Sequence, residues 1–295
     1  MGKGHDQGKT GGDESLPNVG SGGGQVSDPE EQFSLGCKYS FGDGVQQDYL
    51  ESMKWYRLAA EQGHAGAQFN LGVMYDRGEG VAQDFSEAAK WFRLAADQGL
   101  YLAQSSLGLM YDRGEGVAQD YSEAAKWYRL AAEQGHAGSQ NNLGLLYVYG
   151  RGVEQDHQEA AKWLHMAAEQ GFVIAQGTLG RMYSDGHVVR QDYQEAARWF
   201  RLAAEQGDAN AQFYLSHLYF DGLGVAQDRQ EAAKWLRIAA EQGYDWAQYN
   251  LGIMYCNGEG VAKDFQEGMK WLRLAAEQDN AMAQRFLNTI GAWPP

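Results

Sequence analysis

Ala65–Leu100, AGAQFNLGVMYDRGEGVAQDFSEAAKWFRLAADQGL, is the stretch from which the rest of the chain is read. Ala67, Leu71, Met74 and Tyr75 fall at spacings of 4, 3 and 1, which makes one apolar face of a first helix. Gly72 lies inside that helix, where glycine costs about 1 kcal/mol against alanine. Its place there implies a helix contact too close for a larger side chain. Gly78 ends the helix as a left-handed cap. Asp84 opens a second helix and Glu87 follows three residues later, a capping box in which Asp84 accepts first-turn amides and Glu87 reaches back to the Asp84 amide. Phe85, Ala88, Ala89, Phe92, Ala95 and Ala96 form the buried face of this helix, broadened by Trp91 and Leu94. Ser86, Lys90, Arg93 and Asp97 form its solvent stripe, and Gly99 stops it.

The pattern returns without insertion or deletion. Trp55 recurs as Trp at 91, 127, 163, 199, 235 and 271, each step being 36 residues. The helix-opening Asp recurs from Asp48 to Asp264 and its Glu from Glu51 to Glu267. The Leu-Gly of the first helix recurs in six of seven units, with Leu215-Ser216 in the seventh, where Ser216 reads as a small residue replacing the packing glycine. One helix pair cannot bury its own apolar face, but seven stacked pairs can. The fold class is therefore all-α, an α/α superhelical solenoid of seven 36-residue helix-turn-helix repeats starting near 29, 65, 101, 137, 173, 209 and 245. A partial eighth unit, 280–293, supplies a C-terminal capping helix and completes a solenoid domain of 29–293. Residues 1–28 carry nine Gly and few apolar residues and read as a disordered arm or an appended tail.

Composition removes several classes of function. The 295 residues carry 24 Lys+Arg against 39 Asp+Glu, a net charge of −15, which argues against a nucleic-acid or anionic-membrane partner. No run approaches the roughly 18 apolar residues of a membrane span, and the first residues lack the apolar core of a secretory signal, so the expected location is cytoplasmic. Two cysteines, Cys37 and Cys256, exclude a disulfide-built scaffold. Proline is absent between 30 and 293, as suits a chain of helices.

The residues Ala-Gln-x-x-Leu-Gly-x-x-Tyr, Gly-x-Gly-Val, Asp-x-x-Glu-Ala-x-Lys-Trp and Ala-Ala-Glu-Gln-Gly, repeated over about 29–293, resemble the Sel-1-like repeat family, a relative of the tetratricopeptide repeat. The resemblance implies a right-handed superhelix whose first helices line the concave face and whose second helices line the convex face. It also implies non-enzymatic adaptor or scaffold work through protein–protein interaction. Departures stand at Val188, where other units have Gly, at Ser52-Met53 in place of the Ala pair, and at Asn288 and Gly291 in place of Gly and Tyr.

Comparison of the units within the chain locates a candidate surface. The second-helix basic row, Lys54 to Lys270 with Arg198 in the fifth unit, hardly changes. Three columns of the first helix change greatly. They are Cys37, Val73, Leu109, Leu145, Arg181, His217 and Ile253; then Phe33, Phe69, Ser105, Asn141, Gly177, Phe213 and Tyr249; then Glu30, Gly66, Leu102, Gly138, Ile174, Asn210 and Trp246. Selective divergence of one face suits a surface tuned to a protein or peptide ligand. The expected groove is built from Phe69, Asn70, Val73, Leu102, Leu109, Asn141, Leu145, Arg181, Phe213, His217, Phe220, Trp246, Tyr249 and Ile253. Its aromatic anchors gather toward the C-terminus, while Tyr214 and Phe286 have interhelical packing as the competing role.

No constellation for catalysis, cofactor or metal stands out. Gly78-Glu-Gly80 and its copies lack the Lys-Ser/Thr of a phosphate loop. His157 and His165 lie eight residues apart on one helix, about 12 Å of rise. The expectation is a monomer without cofactor that binds a protein or peptide. A structural or assembly role through end or convex contacts is the alternative. A hydrolase of the β-lactamase-annotated branch is more remote, because that branch carries a cysteine pair in each repeat and this chain does not.

Overall fold

The computed structural model describes residues 26–292. Among them are fifteen helices and no strand, in chain order α1 (Pro29–Phe41), α2 (Tyr49–Glu61), α3 (Ala65–Arg77), α4 (Phe85–Asp97), α5 (Tyr101–Arg113), α6 (Tyr121–Glu133), α7 (Ala137–Tyr149), α8 (His157–Glu169), α9 (Val173–Asp185), α10 (Tyr193–Glu205), α11 (Ala209–Asp221), α12 (Arg229–Glu241), α13 (Asp245–Asn257), α14 (Phe265–Glu277) and α15 (Ala281–Thr289). Each helix packs chiefly on the one before it and the one after it, giving an all-α solenoid of paired helices closed by α15. Residues 1–25 of the expected arm, and Trp293 of the partial unit, lie outside the described residues.

The helix-interior glycines seat a large side chain of the paired second helix. A Cβ on Gly72 would stand 2.7 Å from the Phe92 ring, and one on Gly180 would stand 2.5 Å from Phe200. Gly36 meets Tyr56, Gly108 meets Tyr128, and Gly144 and Gly252 meet Leu164 and Leu272 in the same way. Ser216 is buried at the equivalent point and its hydroxyl donates to the Phe213 carbonyl at 2.6 Å. The alanine pairs near the ends of the second helices, from Ala59-Ala60 to Ala275-Ala276, are buried in all seven units, so the core runs from unit to unit along the stack.

The capping box forms only in part. The Asp84 carboxylate accepts from the amides of Ser86 at 2.9 Å and Glu87 at 3.0 Å. The Asp84 amide, however, donates to the Tyr75 carbonyl at 2.9 Å, and this loop closure recurs at the opening Asp of every second helix. Glu87 is thereby released from the reciprocal bond and pairs with Lys90 at 2.5 Å. All seven basic residues of that row are held by the Glu three positions earlier, from Lys54–Glu51 to Lys270–Glu267.

Units are joined by two further devices. Gln68 is buried on α3, donates to the Ala60 carbonyl of the preceding unit at 3.1 Å, and accepts from Gln98 at 2.7 Å. Arg57, Arg93, Arg129, Arg201 and Arg237 each donate to the Tyr hydroxyl of the next unit's first helix, 18 residues on. Arg93 is thus half-buried in a clamp rather than part of a solvent stripe. Leu94 also departs from expectation, standing 47% exposed outside the buried face. At the fourth joint His165 replaces Arg and meets the Tyr183 hydroxyl at 3.0 Å.

Candidate partner-binding cavity

The first helices begin from β-conformation caps, and several are capped by residues with no marked capping signature. His64 and His136 accept through Nδ1 from the amides of Ala67 and Ser139 at 3.0 and 3.2 Å. These histidines are therefore helix-start acceptors, a role that composition alone did not signal. The loops after the first helices hold Gly78 and its equivalents at positive φ. Val188 takes no positive φ and packs, partly buried, against the core cluster that holds Leu179 and Met182, so the loop at Gly186 differs locally.

A cavity of about 680 Å³ opens beside this altered loop. Leu145, Val148 and Tyr149 of α7 form one wall, and Tyr214 of α11 forms the other, stacked on Phe200 at 5.2 Å. Ile174, Gly177, Arg181 and Met182 of α9 lie between them, with His187 and Val188 at one end. At Gly177 the column carries Phe in three other units and Tyr in a fourth, whereas a Cβ at Gly177 would meet nothing within 4 Å. Gly177 leaves open the place that those rings take in other units. Arg181 is exposed and in no ion pair among the described residues. Asp185 and Asp208 also line the cavity, and Asp208 is engaged as the cap of α11, accepting from Ala211 at 2.6 Å.

The sequence-predicted groove residues are dispersed along the stack. Leu145 and Arg181 line the main cavity. Asn70 and Val73 line a hollow of about 200 Å³ near Tyr56, and His217, Phe220 and Ile253 line one of about 190 Å³ near Asn250. Leu102 and Trp246 are exposed, and Leu109 is half-buried, outside these hollows. Asn141 is a correction: it is 3% exposed, donates to the Asn142 side-chain oxygen at 3.1 Å, and offers no surface to a ligand.

Several of the aromatic anchors are drawn into packing, while Trp246 stays exposed. Phe69 meets Phe92 with ring centroids 5.6 Å apart, and Phe213 meets His217 at 4.5 Å and Tyr244 at 5.4 Å. Tyr249 and Phe286 pack against the last core cluster. Burial pushes the His217 imidazole below its ordinary value, partly opposed by Asp221. Among the described residues no group of three or more His, Cys, Asp or Glu is placed to hold a metal ion, and no helix is long and apolar enough to cross a membrane. Cys37 and Cys256 are both unpaired.

The Sel1 repeat profile matches residues 32–64, 65–100, 102–136, 137–172, 173–208, 209–244 and 247–280. The chain belongs to the Sel1 repeat family. Its Sel1 fold is similar to that of a protective antigen of uropathogenic Escherichia coli with an SLR fold (TM-score 0.84, 42% identity, 89% of this chain and 56% of that one). It is also similar to a Sel1 repeat protein from Oxalobacter formigenes (TM-score 0.76, 37% identity, 90% and 76%). The chain therefore spans little more than half the length of the E. coli protein. No curated protein is detectably similar to it. Sel1 repeat proteins generally mediate protein–protein interaction.

Proposed function

We propose that this Sel1 repeat chain is a non-enzymatic scaffold that binds a protein segment along its first-helix face, with the cavity at Gly177 as the anchoring point. The observation that carries this reading is the meeting of independent departures at one place. The missing column side chain at Gly177, the unpaired Arg181 and the altered Val188 loop belong to one unit and line one cavity. The apolar walls suit an aliphatic or aromatic side chain, and the Arg181 fork suits a carbonyl or carboxylate beside it.

The test uses Gly177→Phe, which restores the side chain found at the same place in Phe69 and Phe213. Proteins captured by the parent are identified, and the purified candidate is titrated against parent, Gly177→Phe and Arg181→Glu. The expected result is unchanged helicity with binding weakened by about tenfold or more in both variants. Equal affinity for all three would overturn the reading.

A further inference from the structure

The second helices carry a surface pattern independent of that cavity. Leu58 and every 36th residue after it to Leu274 are large and apolar, Met166 and Ile238 being the two that are not Leu. All seven are exposed, between 37% and 47%. One turn further along each helix, Glu61 and every 36th residue to Glu277 are acidic, with Asp97 in the second unit, and all are exposed. None of these acids is in an ion pair among the described residues, whereas the Lys row on the other side of the apolar row is neutralised by its own Glu partners.

The acids stand against the local electrostatics. They occupy the last turn of their helices, where the negative end of the helix dipole repels a carboxylate. No second helix has a basic residue in its last turn. Arg57, Arg93, Arg129, Arg201 and Arg237, one turn earlier, could neutralise the row but are turned to the Tyr hydroxyls of the next unit. A locally unfavourable placement kept in seven units points to a task outside the helix.

Successive second helices meet through their long side chains, the Arg93 guanidinium lying 5.5 Å from the Trp127 ring. Helices in contact lie about 8–10 Å apart. Seven residues of an α-helix rise about 10 Å and return to within about 20° of the same face. An extended chain covers that distance in about three residues, which turns its side chain to the opposite face. A helix is therefore the element whose repeat matches these rungs. Beside Leu202 and Arg201 the face opens into a hollow of about 420 Å³, room for such a side chain.

We propose that this face docks a cationic amphipathic helix of a partner protein, lying across the second helices. Its apolar residues, one in seven, sit over the row from Leu58 to Leu274, and its Lys or Arg residues sit over the row from Glu61 to Glu277. A second copy of this chain is a poor occupant, because it would bring the same acids and a net charge of −15 to the contact.

The probe is a synthetic helical peptide of about 28 residues with Leu at every seventh position and Lys along one flank. The control is a peptide of the same composition with the leucines scrambled. Binding is read by fluorescence anisotropy, with sedimentation of the protein alone. The expected result is binding of the heptad peptide alone, weakened by about tenfold or more in Leu130→Ser/Leu202→Ser/Ile238→Ser and in Glu133→Gln/Glu169→Gln/Glu205→Gln. The glutamine variant is expected to melt at or above the parent temperature, because it removes carboxylates from the negative helix ends. Arg181→Ala, in the separate cavity, is expected to bind the peptide as the parent does. Absence of binding, equal binding of the scrambled peptide, or indifference to both triple variants overturns the proposal. So does a parent dimer that the serine variant dissociates, since a second copy would then cover the row.

Discussion

At Gly72 an added Cβ would lie 2.7 Å from the Phe92 ring, while at Gly177 it would meet nothing within 4 Å. Both residues lie inside first helices. Alanine at Gly72 is expected to destabilise by about 1–3 kcal/mol through overpacking, despite its better helix propensity. Alanine at Gly177 is expected to stabilise by about 0.5–1 kcal/mol through propensity alone. Thermal melts of the two variants should move in opposite directions. His165 makes a second residue-scale prediction. Burial lowers its imidazole from the ordinary 6.5, with Glu169 and Glu195 opposing and Arg198 adding to the shift. A depressed folded value means that the unfolded chain binds the proton more readily. Stability from this site is therefore complete above the ordinary imidazole value and is lost as pH falls below it. His136 and His217, also lowered by burial, act in the same sense. His165→Arg, which restores the clamp residue of the other units, is expected to flatten the fall in melting temperature between about pH 7 and pH 5.

At the scale of the helix, the opening Asp and its Glu divide their labour. Asp84→Ala removes the acceptor for two amides and is expected to cost about 1 kcal/mol. Glu87 makes no bond back to the Asp84 amide, so Glu87→Ala is expected to leave stability close to that of the parent in the same denaturation assay. A complete capping box would make the two losses similar. The helices themselves were legible because spacing, caps and glycine stops agree in every unit. The Glu role was not, since the loop that delivers the Tyr75 carbonyl to the Asp84 amide is a matter of three-dimensional closure. Arg93 and Leu94 were misplaced for a related reason: helix periodicity gives a direction around one axis but does not say how far the neighbouring helix covers it.

At the scale of the molecule, stability is distributed among neighbouring contacts, because each helix meets chiefly its two neighbours in the chain. The buried glutamines are the polar part of that coupling. Gln140→Leu removes one hydrogen bond each from the Ala132 carbonyl and the Gln170 side-chain amide, and with them the polar link between units. It is expected to broaden or split the unfolding transition in calorimetry as the two halves uncouple. The exact repeat made the solenoid readable, yet the cavity was not readable as such. Val188 was read as a loop departure, Arg181 as a groove residue and Gly177 only as one member of a variable column, and only the stacking of α7, α9 and α11 brings them to one opening. Aromatic character alone does not tell packing from surface, because Phe69 and Phe213 meet Phe92 and Tyr244 while Trp246 stays exposed.

A stack of like units is mechanically a spring, and a spring bends where one coil is softest. Five joints are fastened by a guanidinium on a phenol, a charge-assisted bond, and the fourth by the imidazole of His165 on Tyr183. That joint connects the units whose first helices, α7 and α9, form the mouth around Leu145 and Arg181. The one joint fastened by a ring that is neutral at ordinary pH thus falls beside the widened opening, and it is there that the rod is expected to yield first.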